Sequence, residues 1–246
     1  MGKQQKRAKK QHFDWGQALF WAAVLVIGCL IGRTILFLDV AGTAFPHWDE
    51  WRFQNDKSFM ATIFTLNNEN FQVFTNALFW LAPRIGLPFW GLRYVSFGVF
   101  LLMVWVLYRR LRPLVPIERR FMLVLAFCPF FSAFMCGNLL WTVLSQTWVF
   151  FLFMFLAVKY GFELPQTPRH QIVTWSLVFG ACLAMNVTLP LIFALLYALR
   201  ACFLEKKLKP RQRYMELIGA VLMMIMTLLI YFYICQRERS EERRVG

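Results

Sequence analysis

Residues 16–38, GQALFWAAVLVIGCLIGRTILFL, decide the fold of this chain. The run is longer than the roughly 20 residues that cross the hydrocarbon core of a bilayer. It also exceeds the apolar segment of a secretory signal peptide, which has about 7–15 residues. The basic stretch from Lys3 to Lys10 precedes it. We therefore expect a retained first transmembrane helix whose basic start, residues 1–15, stays in the cytoplasm. Arg33, near its far end, fits either a snorkelling helix-end anchor or a phosphate partner.

The composition places the rest of the chain in a membrane as well. Of the 246 residues, 59% are hydrophobic and 16% are charged, whereas a soluble domain has about 25% charged residues. The net charge is +14, and most Lys and Arg lie in short clusters at 3–10, 109–120 and 200–213. Because the positive-inside rule places such clusters in cytoplasmic loops, we attribute the charge to topology and expect no nucleic-acid partner.

Further apolar runs follow at 94–108, 121–135, 147–158, 172–203 and 214–235. The run 172–203 is too long for one crossing, and the stretch from Asn186 to Pro190 interrupts it, so it predicts two helices. The sequence thus predicts an all-α polytopic membrane protein with about seven transmembrane helices over residues 16–235. A charged tail, 236–246, follows the last of them.

Residues 39–92 form the longest segment between predicted crossings, and the topology places them outside as a long first outer loop. Apolar residues recur there at helical spacing, at Phe71, Phe74, Leu78 and Leu81. That spacing predicts an amphipathic helix lying in the membrane interface. Pro83 and Pro88 then end it.

The same outer loop carries an acidic pair, Asp49 and Glu50, which follows His47 and is framed by Trp48 and Trp51. Adjacent carboxylates at a membrane surface suit the binding and deprotonation of a sugar hydroxyl. Two plainer interpretations stay open. The acids fit the start of a helix, where they favour the dipole, and the tryptophans fit an interfacial aromatic belt.

Three pieces of the sequence resemble the GT-C superfamily of membrane glycosyltransferases, in a subset of bacterial members. They are Trp48 to Trp51, the stretch Asn67 to Phe71 followed by Arg84, and Asn138 to Trp141 with Gln146 beyond. The resemblance spans roughly residues 10–230. Gly137 stands where those relatives have an acidic residue before the Asn. The resemblance implies a polyprenyl-phosphate sugar donor, a glycan or lipid acceptor of the cell envelope, and a bacterial inner (plasma) membrane location.

The resemblance also implies catalytic and substrate-binding roles for individual residues. Asp49 would be the catalytic base, acting directly or through a divalent metal, and Glu50 would orient the acceptor or share that task. Arginines supply cations for a lipid-linked phosphate, although Arg84 and Arg93 fit headgroup anchors equally well. The candidate substrate-binding residues are His47, Trp48, Trp51, Arg52, Asn68, Glu69, Arg84, Arg93, Asn138 and Trp141. No motif for an organic cofactor and no zinc spacing is present.

The leading hypothesis is therefore a glycosyltransferase. A lipid-linked sugar transporter is a second class, which predicts charged residues in mid-span and a repeat of broken helices. A non-catalytic membrane protein or inactive fragment is a third. The abrupt change to charge at residues 237–246 resembles a junction sequence, and we expect this chain to be the front part of a longer membrane protein.

Overall fold

The structure, a computed structural model, describes residues 15–41, 58–63, 66–67, 70–131, 145–163, 167–185, 188–200, 202 and 210–245. These residues are mostly helical, and they include one antiparallel pair of two-residue strands, β1 (Leu66–Asn67) and β2 (Asn70–Phe71), in which Leu66 lies opposite Phe71. The predicted all-α architecture is confirmed at this level.

The described residues contain nine α-helices and four short 3₁₀ turns. The α-helices are α1 (Trp15–Ala41), α2 (Phe59–Ile63), α3 (Val73–Leu81), α4 (Phe89–Leu111), α5 (Arg120–Leu125), α6 (Ser145–Val158), α7 (Pro168–Ala184), α8 (Thr188–Leu199) and α9 (Pro210–Val245). The 3₁₀ turns are Ala82–Ile85, Arg112–Leu114, Ile117–Arg119 and Cys128–Phe131, and a π-helical turn, Lys159–Glu163, follows α6.

Local sequence explains several of these helix ends. Thr167 caps α7, since its side chain accepts a hydrogen bond from the His170 amide at 3.2 Å, and Pro168 occupies the first helical position, where no amide hydrogen is needed. Gly86 ends the turn after α3 with a φ of 72°, a left-handed conformation that glycine adopts without strain. Pro88 then precedes α4 in an extended conformation.

Four helical stretches are long and apolar enough to cross a membrane, and they coincide with four of the predicted crossings. They are Trp15–Val40, Trp90–Leu114, Ser145–Phe162 and Arg213–Ile230. The other three predicted crossings coincide with shorter elements: residues 120–131, α7 and α8. Length and composition therefore indicate a membrane protein.

Side-chain contacts between helices show which of them run in the same direction. Phe100 of α4 packs edge-on against Trp148 of α6, and Arg110 donates a hydrogen bond to the Phe155 carbonyl at 2.8 Å, so α4 and α6 run in the same direction. Gln171 of α7 lies against Glu216 of α9, and Cys182 lies against Thr227, so these two helices also share one direction.

A further set of contacts orients α6 relative to α7 and allows the two ends of the bundle to be named. Ala157 of α6 packs with Val178 of α7, while Phe150 packs with Ala184, so α6 and α7 are antiparallel. Here, the α3 end is the one where α4 and α6 begin, and the Arg112 end is the one where they finish. Because α7 is antiparallel to α6, it begins at the Arg112 end. Helix α9 runs in the same direction as α7, so it begins there too.

The outer surface of the bundle is apolar. Leu25 and Leu36 on α1 are 69% and 65% exposed, and Leu229 on α9 is 63% exposed. In water such residues would form a large unfavourable patch, whereas lipid tails solvate them as well as another leucine does. Aromatic and small residues fill the interior, including Phe100, Phe131 and Tyr197, which are almost fully buried.

Candidate functional site

Most residues of the predicted site lie outside the part of the chain that the structure describes. These are His47, Trp48, Asp49, Glu50, Trp51, Arg52, Asn68, Glu69, Asn138 and Trp141. The described candidates are Arg84, in the 3₁₀ turn after α3, and Arg93, in the second turn of α4. The description of the site therefore starts from the surroundings of these two arginines.

The predicted amphipathic helix is present as α3, but the face that the protein buries is the polar one. Thr75 and Asn76 are fully buried, together with Phe79, and Gln72 just before the helix is 4% exposed. Leu81, from the predicted apolar row, is 45% exposed.

The predicted apolar row therefore needs a correction. Phe71 belongs to β2 rather than to the helix, while Phe74 and Leu78 pack only at the margins of neighbouring clusters. The physical reason is that lipid accepts apolar side chains, whereas hydroxyl and amide groups must turn inward to find hydrogen-bond partners.

The buried polar face of α3 makes specific hydrogen bonds. The hydroxyls of Thr75 and Ser145 lie 3.0 Å apart, both buried, and this contact ties α3 to the first residue of α6. Asn76 donates from Nδ2 to the Ile63 carbonyl at the end of α2, at 3.2 Å. Helices α2, α3 and α6 are thus joined by polar contacts at the α3 end of the bundle.

Arg93 adds a buried charge near the start of α4. Its side chain is 2% exposed, and the adjacent Leu92 packs against Phe79 and Ala82 of the α3 segment. A guanidinium removed from water is costly unless anions or carbonyl oxygens surround it. Arg93 therefore lies in the interior of the protein rather than at its surface, and it already has an interaction within the protein.

Two further polar groups at this end have hydrogen-bonding capacity to spare. Ser96, one turn after Arg93, is fully buried, and Gln146, beside Ser145, is 6% exposed. The Ser96 Oγ and the Gln146 Oε1 have no hydrogen-bond partner among the residues that the structure describes. Buried groups of this kind are satisfied by water, by further chain or by a ligand with hydroxyls.

Arg84 has different surroundings. It is exposed, its guanidinium lies 3.6 Å from the centre of the Trp80 ring, and it donates a hydrogen bond to the Trp80 carbonyl at 2.5 Å. An exposed guanidinium stacked on a half-buried indole is a cation–π contact typical of a membrane–water interface. The geometry thus favours the headgroup-anchor interpretation of Arg84.

Sequence reasoning did not single out the polar face of α3. A single signal was available: Gln72, Thr75 and Asn76 recur at three- and four-residue spacing, as a buried helical face requires. The apolar row beside them is the stronger pattern, and it indicates the lipid-facing side of the helix rather than its buried side.

A second polar contact lies at the Arg112 end. Glu216 of α9 is fully buried and accepts a hydrogen bond from the Gln171 side chain at 3.4 Å, while the buried Arg200 donates to the Gly161 carbonyl. Arg200 had been counted among the cytoplasmic basic residues. The structure shows that its guanidinium caps the π-helical turn after α6, which is a structural use.

No group of three His, Cys, Asp or Glu residues that could hold a metal ion occurs in the described ranges. The two acids nominated for such a role are not among them. Comparison of the chain with protein-family models, with curated proteins and with solved structures finds no match.

Proposed function

We propose that this chain is a membrane glycosyltransferase that moves a sugar from a polyprenyl-phosphate donor to a glycan or lipid of the bacterial cell envelope. The observation that supports the proposal is the buried Arg93 near the start of α4, together with the buried Ser96 hydroxyl one turn later, which has no hydrogen-bond partner among the described residues. A phosphate with an attached sugar requires this combination, since the phosphate needs a cation and the sugar hydroxyls need neutral polar partners.

The proposed topology has seven crossings in the inner membrane, with the N-terminus in the cytoplasm and the α3 end facing the periplasm. The helix directions support it, because Arg33 of α1 donates a hydrogen bond to the Phe131 carbonyl at the end of the 120–131 segment, and α4 and α6 run in the same direction. The segment with Asp49 and Glu50 follows α1 directly, so the acids would enter from the α3 end.

In the proposed reaction the acceptor hydroxyl oxygen bonds to the anomeric carbon of the donor sugar. The bond from that carbon to the phosphate oxygen breaks, and the phosphate leaves with the electron pair. Asp49 takes the acceptor proton, and Glu50 orients the acceptor. Arg93 stabilises the charge that collects on the departing phosphate, which is the larger electrostatic requirement of such a transfer.

The test replaces Asp49 by Asn, with Asp39→Asn as the control. Asp39 is an exposed acid near the end of α1, so the control removes the same charge from the same end of the bundle. With a labelled polyprenyl-phosphate sugar, we expect Asp49→Asn to lower transfer by about 100-fold or more, the range that general-base removal gives. Asp39→Asn should retain transfer.

Unchanged transfer in Asp49→Asn would contradict the catalytic role. Movement of the labelled donor across vesicles without transfer would instead support the transporter class. If the unaltered chain neither transfers nor moves the donor, the non-catalytic class is correct.

A further inference from the structure

A polar cavity of about 370 Å³ lies at the Arg112 end, between the first turns of α1, the end of α4 and the turn that leads into α5. Its lining includes Gln17, Tyr108, Arg112, Glu118 and Arg120. The volume is within the range of small-molecule sites, about 300–1,000 Å³. It is separate from the polar face of α3, which lies at the opposite end of the bundle.

An apolar trough of about 300 Å³ begins where this cavity ends. The two share Phe20 and Tyr108 in their linings. On α1 the trough is lined at helical spacing by Phe20, Val24, Ile27 and Ile31, and its other walls come from α4 and from residues 124–131. From Phe20 to Ile31 the trough spans about 16 Å at the rise of an α-helix. That is roughly half of the 30 Å hydrocarbon core, the depth of one leaflet.

Three charged side chains line the cavity. Arg112 and Arg120 supply two positive charges, and Glu118 supplies one negative charge. Across the described ranges, no ion pair joins these three side chains to one another or to other residues, and the Arg120 Nε is buried without a hydrogen-bond partner. Two cations and one anion in a single cavity complement a ligand that carries a phosphate and an amine.

We propose that this cavity and trough bind one phospholipid with an ethanolamine headgroup, in the leaflet at the Arg112 end. The phosphate lies between Arg112 and Arg120, whose guanidiniums suit phosphate oxygens. The ammonium donates to Glu118, and one acyl chain fills the trough. A choline headgroup has no N–H to donate to Glu118, and a glycerol headgroup has no positive charge to pair with it.

The test uses the purified chain in detergent with ethanolamine, glycerol and choline phospholipids of identical acyl chains, and counts retained lipids by native mass spectrometry. We expect one ethanolamine lipid to be retained in preference to the others. Arg112→Gln combined with Arg120→Gln should lower retention of every lipid by about tenfold or more, since each substitution removes a charge-assisted contact. Glu118→Gln should abolish the preference for ethanolamine while keeping phosphate binding.

Arg119→Gln is the matched control, because Arg119 neighbours Arg120, is exposed and does not line the cavity. Equal losses from Arg119→Gln and Arg120→Gln would overturn the proposal in favour of diffuse charge attraction. Equal retention of all three headgroups by the unaltered chain would overturn the ethanolamine assignment.

The trough is tested separately. Ile27→Trp fills it and should reduce retention of the ethanolamine lipid, whereas Ile35→Trp, exposed on the same helix outside the trough, should not. Water-soluble glycerophosphoethanolamine that binds as tightly as the lipid would overturn the role of the trough. Glu118 lies on an exposed turn, so its replacement by Gln should not disturb folding. The headgroup preference of Glu118→Gln can therefore be measured even if a trough variant folds poorly.

Discussion

Thr75 and Ser145 lie 70 residues apart in the sequence, yet their hydroxyls share a buried hydrogen bond of 3.0 Å. Both side chains are completely inaccessible. The contact fixes the short helix α3, which is not itself long enough to span a membrane, to the start of α6. It therefore sets where the polar face of α3 lies relative to α6.

This hydrogen bond can be weighed with a double-mutant cycle of Thr75→Val and Ser145→Ala. We expect a coupling energy of about 0.6 kcal/mol, the average found for side-chain hydrogen bonds between transmembrane helices. Unfolding in mixed micelles provides the measurement. Thr227→Val combined with Ser145→Ala serves as the control and should be additive, because Thr227 hydrogen-bonds within α9. A coupling near zero for Thr75 and Ser145 would show that the contact contributes nothing.

Arg93→Gln should raise the KM for the polyprenyl-phosphate sugar by about tenfold to 100-fold, because a charge-assisted contact to the phosphate is lost. Arg84→Gln is the matched control: it removes the same charge from an exposed position and should leave the KM unchanged. Donor titrations at fixed acceptor give both values, and thermal unfolding of each variant separates misfolding from lost binding. Equal effects of the two substitutions would exclude a special role for Arg93.

Gly219→Ala should destabilise the protein by about 1–3 kcal/mol, the usual cost of overpacking. A methyl group at Gly219 on α9 would overlap the indole of Trp175 on α7, so the ring would have to be displaced. Gly98→Ala on α4 is the control, since a methyl group there meets no atom within 4 Å. The midpoint of unfolding in mixed micelles reports the difference, and equal midpoints would mean that Trp175 readily relocates.

Cysteine labelling tests the proposed orientation. In a background without the native cysteines, a cysteine at position 49 should react with a membrane-impermeant maleimide added to intact cells. A cysteine at position 112 should react only after the inner membrane is opened. Position 112 is exposed at the end of α4, so its reagent access is not limited by packing. The reverse pattern would place the acidic pair in the cytoplasm and remove the proposed donor from its reach.

The long helices were predictable because hydrophobicity alone determines them. Residues 16–38 lie inside α1, and the predicted crossing at 94–108 lies inside α4. Pro83 also ends the regular part of α3 as expected. Each of these features depends on local chemistry, either apolar length or a missing backbone donor, so neighbouring residues suffice to predict it.

The buried partners were not predictable from local pattern. Arg33 was assigned two roles in the sequence, anchor or phosphate partner, and the structure shows it donating a hydrogen bond to the Phe131 carbonyl at the end of a 3₁₀ turn. Glu216 and Gln171 likewise come from different helices. Which polar groups meet depends on the packing of distant segments, and a single sequence does not contain that information in readable form.

Helix α9 continues without interruption from Pro210 to Val245, a length of 36 residues. At the rise of an α-helix that is about 54 Å, compared with about 30 Å of hydrocarbon. Some 24 Å of this rod must therefore protrude into water. Its charged final turns extend beyond the hydrocarbon. A partner that binds them would be connected to the bundle by a continuous helix rather than by a flexible linker.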